Sequence, residues 1–435
     1  MVAVLLSVCN SAKAIELTID GIKYTLSISE MTARVVSGEE CSGNVIIPSN
    51  IEYENHTFPV VELMNSCFDG CPIDSIYIGE NVTTIGGRAF RESTVSWVHF
   101  PDGITRIGGG AFSYCNNLER LDFPDGPSYI PSECFLGSEN FCYITIPPSV
   151  TWIGNNAFQY TSIESITLPN TVTEVGSACF EECSRLTEVQ LSSSMQKIEN
   201  YTFYDTNLKS LIIGANIEEV GCAVVKSNFP GFTLTVEPKS EPLKLNGGSS
   251  KVTYSFDCET AIVNRDVVST QYYSATYPFQ SVKHLVVGNQ CKGERILSIK
   301  DYTQLKTLTI GPAFDFSEAG VRKMTGFSNL DSIMINSEIP PECPDFSDEQ
   351  LMKIRILVPK GALDTYKKAE GWKQFWNLEE SDKLSAVSDV MTDSAIQPRE
   401  EYGRYDLSGR KVTGDFRGVV VVKYTDGSTA KVLQQ

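Results

Sequence analysis

Histidine is scarce in this chain: three occur in 435 residues, at His56, His99 and His284. No two of them fall at metal-ligand spacing, and no H-E-x-x-H segment can be written. A G-x-S-x-G elbow, a phosphate-binding loop and an EF-hand series are also missing. The motifs of metal, nucleotide and acyl-transfer chemistry are therefore absent, and no catalytic, cofactor or metal residue is expected. Positive charge is in deficit too. Lys and Arg number 36 against 54 Asp and Glu, for a formal charge of −18. Such a surface repels nucleic acid and anionic headgroups, so both are excluded as expected partners. No apolar run approaches the roughly 20 residues needed to span a bilayer, so no transmembrane segment is expected.

What the chain does have is a period. An isoleucine-like residue is followed four positions later by a small residue and then a ring. The copies are Leu63…Cys67-Phe68, Ile85…Ala89-Phe90, Ile107…Ala111-Phe112, Ile130…Cys134-Phe135, Ile153…Ala157-Phe158, Val175…Cys179-Phe180 and Ile198…Thr202-Phe203. An eighth, Val220…Val224-Val225, has lost the aromatic. A fixed period of 22 or 23 residues marks a solenoid, in which one short unit stacks on the next. Each copy also carries a strand written apolar-x-x-apolar-x-apolar, such as Ile73/Ile76/Ile78, Leu118/Leu121/Phe123 or Ile163/Ile166/Leu168. A turn, the Ile-Gly step and the small–aromatic pair on a short helical turn follow. The three strand apolars and the ring point inward. Each buried ring removes about 150–250 Å² from water, worth roughly 4–6 kcal/mol of gross transfer energy per layer before ordering entropy.

Thirteen cysteines raise the question of disulfides. Their positions argue for a different role. Cys67, Cys134 and Cys179 share a slot with Ala89, Ala111 and Ala157, while Cys71, Cys115 and Cys183 share one with Ser93, Ser138, Thr161 and Thr206. Small-residue slots imply inert core cysteines.

Six segments follow from this pattern. Residues 1–14 have the apolar run Val2–Val8 and the small-x-small Ala12-Lys13-Ala14, a remnant of an export signal; Leu6-Ser7-Val8-Cys9 faintly matches a lipoprotein box. Residues 15–37 alternate around Asp20-Gly21 and predict a β-hairpin cap. Regular repeats run over 38–235. Uneven ones run over 236–380, closed by a helix across Ala362–Phe375 that carries Leu363, Tyr366, Trp372 and Phe375 on one side. With Trp376, its aromatics read as capping core. Residues 381–400 form a polar linker, and 401–435 a small β tail with Ser408-Gly409 and Asp426-Gly427 as turns.

The repeat of strand, Pro, Ile-Gly and Ala-Phe-x-x-Cys resembles the BspA-like leucine-rich repeats of bacterial surface proteins. The match is carried by Ile107-Gly108, Ala111-Phe112, Cys115, Leu118 and Leu121, by the opening Ile19-Asp20-Gly21-Ile22-Lys23-Tyr24, and by Val358-Pro359-Lys360-Gly361 with Tyr366 and Trp372. It covers about residues 15–380. Leu407-Ser408-Gly409-Arg410-Lys411, Gly418 and Asp426-Gly427 resemble the C-terminal tails of secreted Bacteroides-type proteins, some of which are sorting signals. The resemblance implies a strand-dominated α/β-type repeat solenoid with short helical turns, exported to the cell surface or secreted. It also implies an adhesin-like protein ligand such as a host matrix protein, some members binding fibronectin or fibrinogen.

The place for a ligand is the outward strand face. Residues flanking the middle strand apolar point away from the core. That puts Tyr77, Trp97, His99, Arg120, Asp122 and Tyr143 on neighbouring strands of the concave side, with Tyr77, Trp97, His99, Arg120 and Tyr143 expected as one contiguous patch. Tyr, Trp and Arg dominate binding hot spots. Aromatics also suit strands for purely structural reasons. The alternatives are a carbohydrate-binding surface protein, since rings stack on sugars, and an envelope component without a defined ligand.

Overall fold

The computed structural model describes residues 7–8, 14–245, 254–269, 277–279, 281–293, 304–384, 401–406, 411–412, 418–424 and 429–434. Of the export remnant before Ala14 only Ser7–Val8 is described, as a short strand antiparallel to Ile15 and Glu16; the linker residues 385–400 and the turns at Ser408-Gly409 and Asp426-Gly427 lie outside the described residues. The chain divides into two compact units, Met1–Ser381 and Asp382–Gln435.

The first unit opens with an antiparallel meander, Ala14–Ile19, Ile22–Ser27 and Thr32–Ser37. Asp20 and Gly21 take φ of 50° and 78°, the paired left-handed geometry of a two-residue hairpin. A second such hairpin, through Glu54 and Asn55, joins Asn50–Tyr53 to His56–Leu63. The last meander strand pairs in parallel with His56–Leu63, and from there the solenoid begins.

Each layer shows three sides. On the strand face, parallel ladders join Gly43–Ile46, Ile73–Tyr77 and Trp97–His99; then Arg120–Asp122 and Tyr143–Thr145; then Ser165–Thr167 and Glu188–Gln190. An eight-stranded parallel sheet follows, from Ser210–Ile213 to Asn377–Ser381. That sheet absorbs the uneven spacing of the later repeats: Ile212 pairs with Thr235, and Thr235 with Ile262, with no register shift. The second side consists of two-residue strands such as Thr84–Ile85, Arg106–Ile107 and Trp152–Ile153, each ending at the repeat's Ile before the Gly slot.

The third side carries the aromatics. Phe68, Phe90, Phe112, Phe135, Phe158, Phe180 and Phe203 are fully buried and stack in one file, with centroids 5.6, 5.1, 5.8, 5.4, 5.3 and 5.6 Å apart and planes within 11° of parallel. The winding beneath them alternates. The amides of Ser66, Phe68 and Gly70 donate to the next layer's carbonyls at Gly87, Ala89 and Arg91 (2.9, 2.8 and 2.7 Å). The amides between them, of Cys67, Asp69 and Cys71, donate back within the layer to Met64, Ser66 and Phe68. Arg88, Phe90 and Glu92 repeat this toward Gly109, Ala111 and Ser113. The segment is therefore a chain of tight turns whose hydrogen bonds run between layers as well as along the chain. It bends through two left-handed residues per layer: Ser66 and Gly70, Arg88 and Glu92, Gly110 and Tyr114, Glu133 and Gly137, Asn156 and Tyr160. From Phe203–Thr206 onward the side becomes strand, through Val225–Ser227 and Tyr254–Asp257. The ring drops out at Val225, where β-branched residues favour extended chain.

The C-terminal end differs from a continuous helix. Leu363–Tyr366 and Trp372–Gln374 are separate short helices, parted by Gly371 at φ 79°. Tyr366, Trp372 and Phe375 are buried, with the Tyr366 hydroxyl donating to the Ser337 carbonyl (2.9 Å) and Trp372 Nε1 to that of Pro341 (2.7 Å). Trp376 is not part of this core and is 76 % exposed. It sits just before the first unit's last strand, Asn377–Ser381, so the chain's turn throws it outward. The second unit is a four-stranded antiparallel sheet in the order Lys411–Val412, Glu401–Asp406, Gly418–Tyr424, Thr429–Gln434.

The Ile-Gly step has a steric cause. A Cβ on Gly108 would lie 2.3 Å from the Gly87 nitrogen, and one on Gly154 2.3 Å from the Ser132 nitrogen. Successive layers touch backbone to backbone there. Gly108→Ala is expected to cost about 1–3 kcal/mol in urea denaturation of the whole chain, the usual penalty for overpacking. A cost near zero would mean that the layers are not in contact at this slot.

Candidate functional site

The six residues singled out on the strand face all project outward or stand half-exposed, as alternation along short strands requires. Trp97 and Tyr143 are 54 % and 51 % exposed. The structure gathers them into two groups. In the first, Tyr77 and His99 are register partners on adjacent strands, and their rings lie face to face with centroids 4.3 Å apart and planes 14° from parallel. Trp97, two residues before His99 on its strand, has its ring centroid 6.0 Å from the imidazole and its plane 17° away. The Tyr77 hydroxyl donates to Glu80 Oε1 at 3.0 Å, and this bond to a carboxylate raises its pKa above the ordinary phenol value.

In the second group, Arg120 and Tyr143 are register partners, and the guanidinium carbon stands 5.2 Å from the Tyr143 ring centroid. Beside them Thr145 Oγ1 donates to Asp122 Oδ1 at 2.9 Å. No ladder joins Trp97–His99 to Arg120–Asp122, and among the described residues no ring or cation–π contact crosses between the groups. Within the surface expected as one patch, the side chains thus pair in two groups, carried by strands that lie beside each other in the stack. Arg120 leans to Tyr143, its ladder partner, because a cation gains most over an aromatic face it can reach without strain.

A further strand joins the first cluster. Asn44 pairs with Ser75, and Ile46 with Tyr77. Ser75 Oγ donates to Asn44 Oδ1 at 2.7 Å, and Ile46 is 69 % exposed. The signal for this strand was in the chain as Val45-x-Ile47-Pro48, the same apolar-x-apolar-Pro ending as Phe141…Ile146-Pro147.

The cysteines do not form a site. All twelve among the described residues are free. Cys115 and Cys183 donate their thiols to the Phe90 and Phe158 carbonyls (2.9 and 3.0 Å), as Ser138 does to that of Phe112 (2.8 Å). Burial pushes the Cys115 thiol up to about 12 and that of Cys183 to about 11, and lifts Cys134 and Cys179 well above the usual thiol value. Among the described residues no cluster of His, Cys, Asp or Glu is placed to hold a metal ion, and no helix is long and apolar enough to cross a membrane. Raised pKa and burial predict that Cys67, Cys115, Cys134, Cys179 and Cys183 stay unmodified by a thiol reagent at pH 8 until the chain is unfolded. Mass-mapped labelling of these positions in the native protein would contradict this.

Compared with known proteins, the BspA type leucine-rich repeat region matches residues 61–163 and 111–228, with six copies. No curated protein matches significantly. Among solved structures, a leucine-rich repeat protein of Bacteroides ovatus is 19 % identical, with 84 % of this chain and 100 % of that one covered and a TM-score of 0.44. The pneumococcal vaccine antigen PcpA is 16 % identical, over 83 % and 96 %, with a TM-score of 0.45. A leucine-rich cell surface protein of Faecalibacterium prausnitzii is 17 % identical, over 88 % and 98 %, with a TM-score of 0.40. The period, the stacked layers and the matched residues together identify the stretch from Val61 to Asn228 as a BspA-type leucine-rich repeat region.

Proposed function

We propose that this protein is an exported, surface-displayed solenoid that captures an extracellular macromolecule, adhesin-like, through the first layers of its strand face. The ligand class to which this reading commits is protein, a host matrix protein being the first candidate. The observation that carries it is the concentration of exposed Tyr, Trp and Arg on strands whose inward residues, Ile76, Val98, Leu121 and Ile144, pack on the core. Those side chains contribute contact area at little entropic cost because the strands beneath them are already held. Later strands offer Ser165, Thr167, Glu188 and Gln190 at the same positions, so the aromatic surface is local. Export rests on the apolar Val2–Val8 and Ala12-Lys13-Ala14 of the sequence. The rival readings are a carbohydrate-binding surface protein and an envelope component without a defined ligand.

The test is binding of the purified chain to immobilised fibronectin, fibrinogen and collagen, with Trp97→Ala plus Tyr143→Ala as the variant. Both side chains are exposed, so the thermal midpoint should stay within a degree or two of wild type. Affinity is expected to fall at least tenfold, the loss of one or two hot-spot anchors. Wild-type failure on all three proteins, or unchanged affinity in the folded double variant, would overturn the reading.

A further inference from the structure

The orientation of the first cluster says more than its composition. Tyr77 and His99 sit side by side on adjacent strands and stack face to face at 4.3 Å, so their ring normals run across the strands, from layer to layer. The Trp97 plane is within 17° of His99, so the indole also stands upright with its two faces turned toward the layers on either side. His99 lies two residues along the same strand with its centroid 6.0 Å from that of the indole, the indole is 54 % exposed, and no cation stands over it among the described residues. On one of those sides the register partner is Ser75, one of the smallest side chains available. Beyond Ser75 stands Asn44. Strands lie about 4.8 Å apart, so Asn44 and Trp97 flank a notch about 10 Å across with Ser75 as its floor.

The walls of this notch differ in chemistry. One is a flat aromatic face with negative potential, which attracts polarised C–H bonds. The other is the Asn44 side chain. Ser75 Oγ donates to its Oδ1, which leaves both N–H groups of the amide and the lone pairs of the serine oxygen for a ligand. A flat group with an apolar C–H face and a rim of hydroxyls fits between them, and that is a pyranose ring. An aliphatic or aromatic side chain would satisfy the indole and leave the amide and hydroxyl unpaired, at a cost in desolvation.

We infer that the notch formed by Trp97, Ser75 and Asn44 binds a sugar ring stacked on the indole, so that the partner is recognised through its carbohydrate. This rests on the strand face being the binding face, and it narrows the partner from a protein to a glycosylated one. Ile46 and the Tyr77–His99 stack border the notch and extend it for a second residue of the glycan.

The experiment probes the full chain with immobilised di- to hexasaccharides of glucose, galactose, mannose and N-acetylglucosamine, with and without terminal sialic acid, and titrates any hit by calorimetry. Wild type is expected to bind at least one class. Ser75→Leu, which fills the notch while leaving Trp97 in place, and Trp97→Ala should each weaken binding tenfold or more. Trp97→Phe should keep part of the affinity, and Trp376→Ala, altering the other strongly exposed tryptophan, should keep all of it. Melting curves establish that the variants fold. Silence across the panel overturns the inference, as does binding indifferent to Ser75→Leu and Trp97→Ala in folded protein. The wider reading fails separately. Matrix-protein binding that survives enzymatic deglycosylation and still depends on Arg120 and Tyr143 removes the sugar and leaves the strand face as a protein site.

Discussion

The turn side of each layer is where this solenoid is held. Each phenylalanine of the file, from Phe68 to Phe203, donates its amide to the next layer at 2.8–2.9 Å, and from Phe68 to Phe180 its ring also stacks on that layer's ring. One residue thus supplies both the polar and the apolar contact between neighbours. Stacked aromatic pairs are worth about 0.5–1.5 kcal/mol beyond their burial, and the amides are sheltered from water by the same rings. The strand face, by contrast, is laddered in separate blocks through the same layers. The layer spacing that the turn side sets is also what forces glycine at positions 86, 108, 154 and 176, where a Cβ would meet the neighbouring backbone.

That division of labour leaves the outward strand positions unconstrained by cohesion. Ile76, Val98, Leu121 and Ile144 face the core, and the residues on either side of them are free to carry whatever a ligand requires. A site built this way is assembled from different layers. Asn44, Ser75 and Trp97 are some 20 to 30 positions apart in sequence and neighbours only because three layers share one register. Rigid layers also fix the ring orientation, since Tyr77 and His99 stand upright against each other.

Much of this was legible from residue pattern. The period, the inward strand apolars, the small slot and the inert cysteines all reflect burial, which writes itself into residue type. The alternating turn did not. Arg88, Glu92, Glu133, Tyr160 and Glu182 all take left-handed conformations that L-residues avoid by roughly 1–2 kcal/mol. Nothing in their side chains signals it, because the compensation comes from interlayer hydrogen bonds. The pairing of side chains within the surface was hidden for a related reason. Alternation places Trp97 and Arg120 on one face, but whether Arg120 turns to Trp97 or Tyr143 depends on which strands ladder. Trp376 departs from the capping-core expectation because an aromatic run does not say where Gly371 and the strand Asn377–Ser381 turn the chain. The strand from Gly43 precedes the first full copy of the repeat, so only its Val45-x-Ile47-Pro48 ending marks it.

The central claim is that the turn side, and not the strand face, holds the layers together. Native-state hydrogen exchange reads this directly, amide by amide. The account predicts that the amides of Phe90, Phe112, Phe135, Phe158 and Phe180 exchange only with global unfolding, more slowly than those of Val98, Leu121, Ile144 and Ile166 in the same layers. Faster exchange at the phenylalanines than on the strands would contradict it.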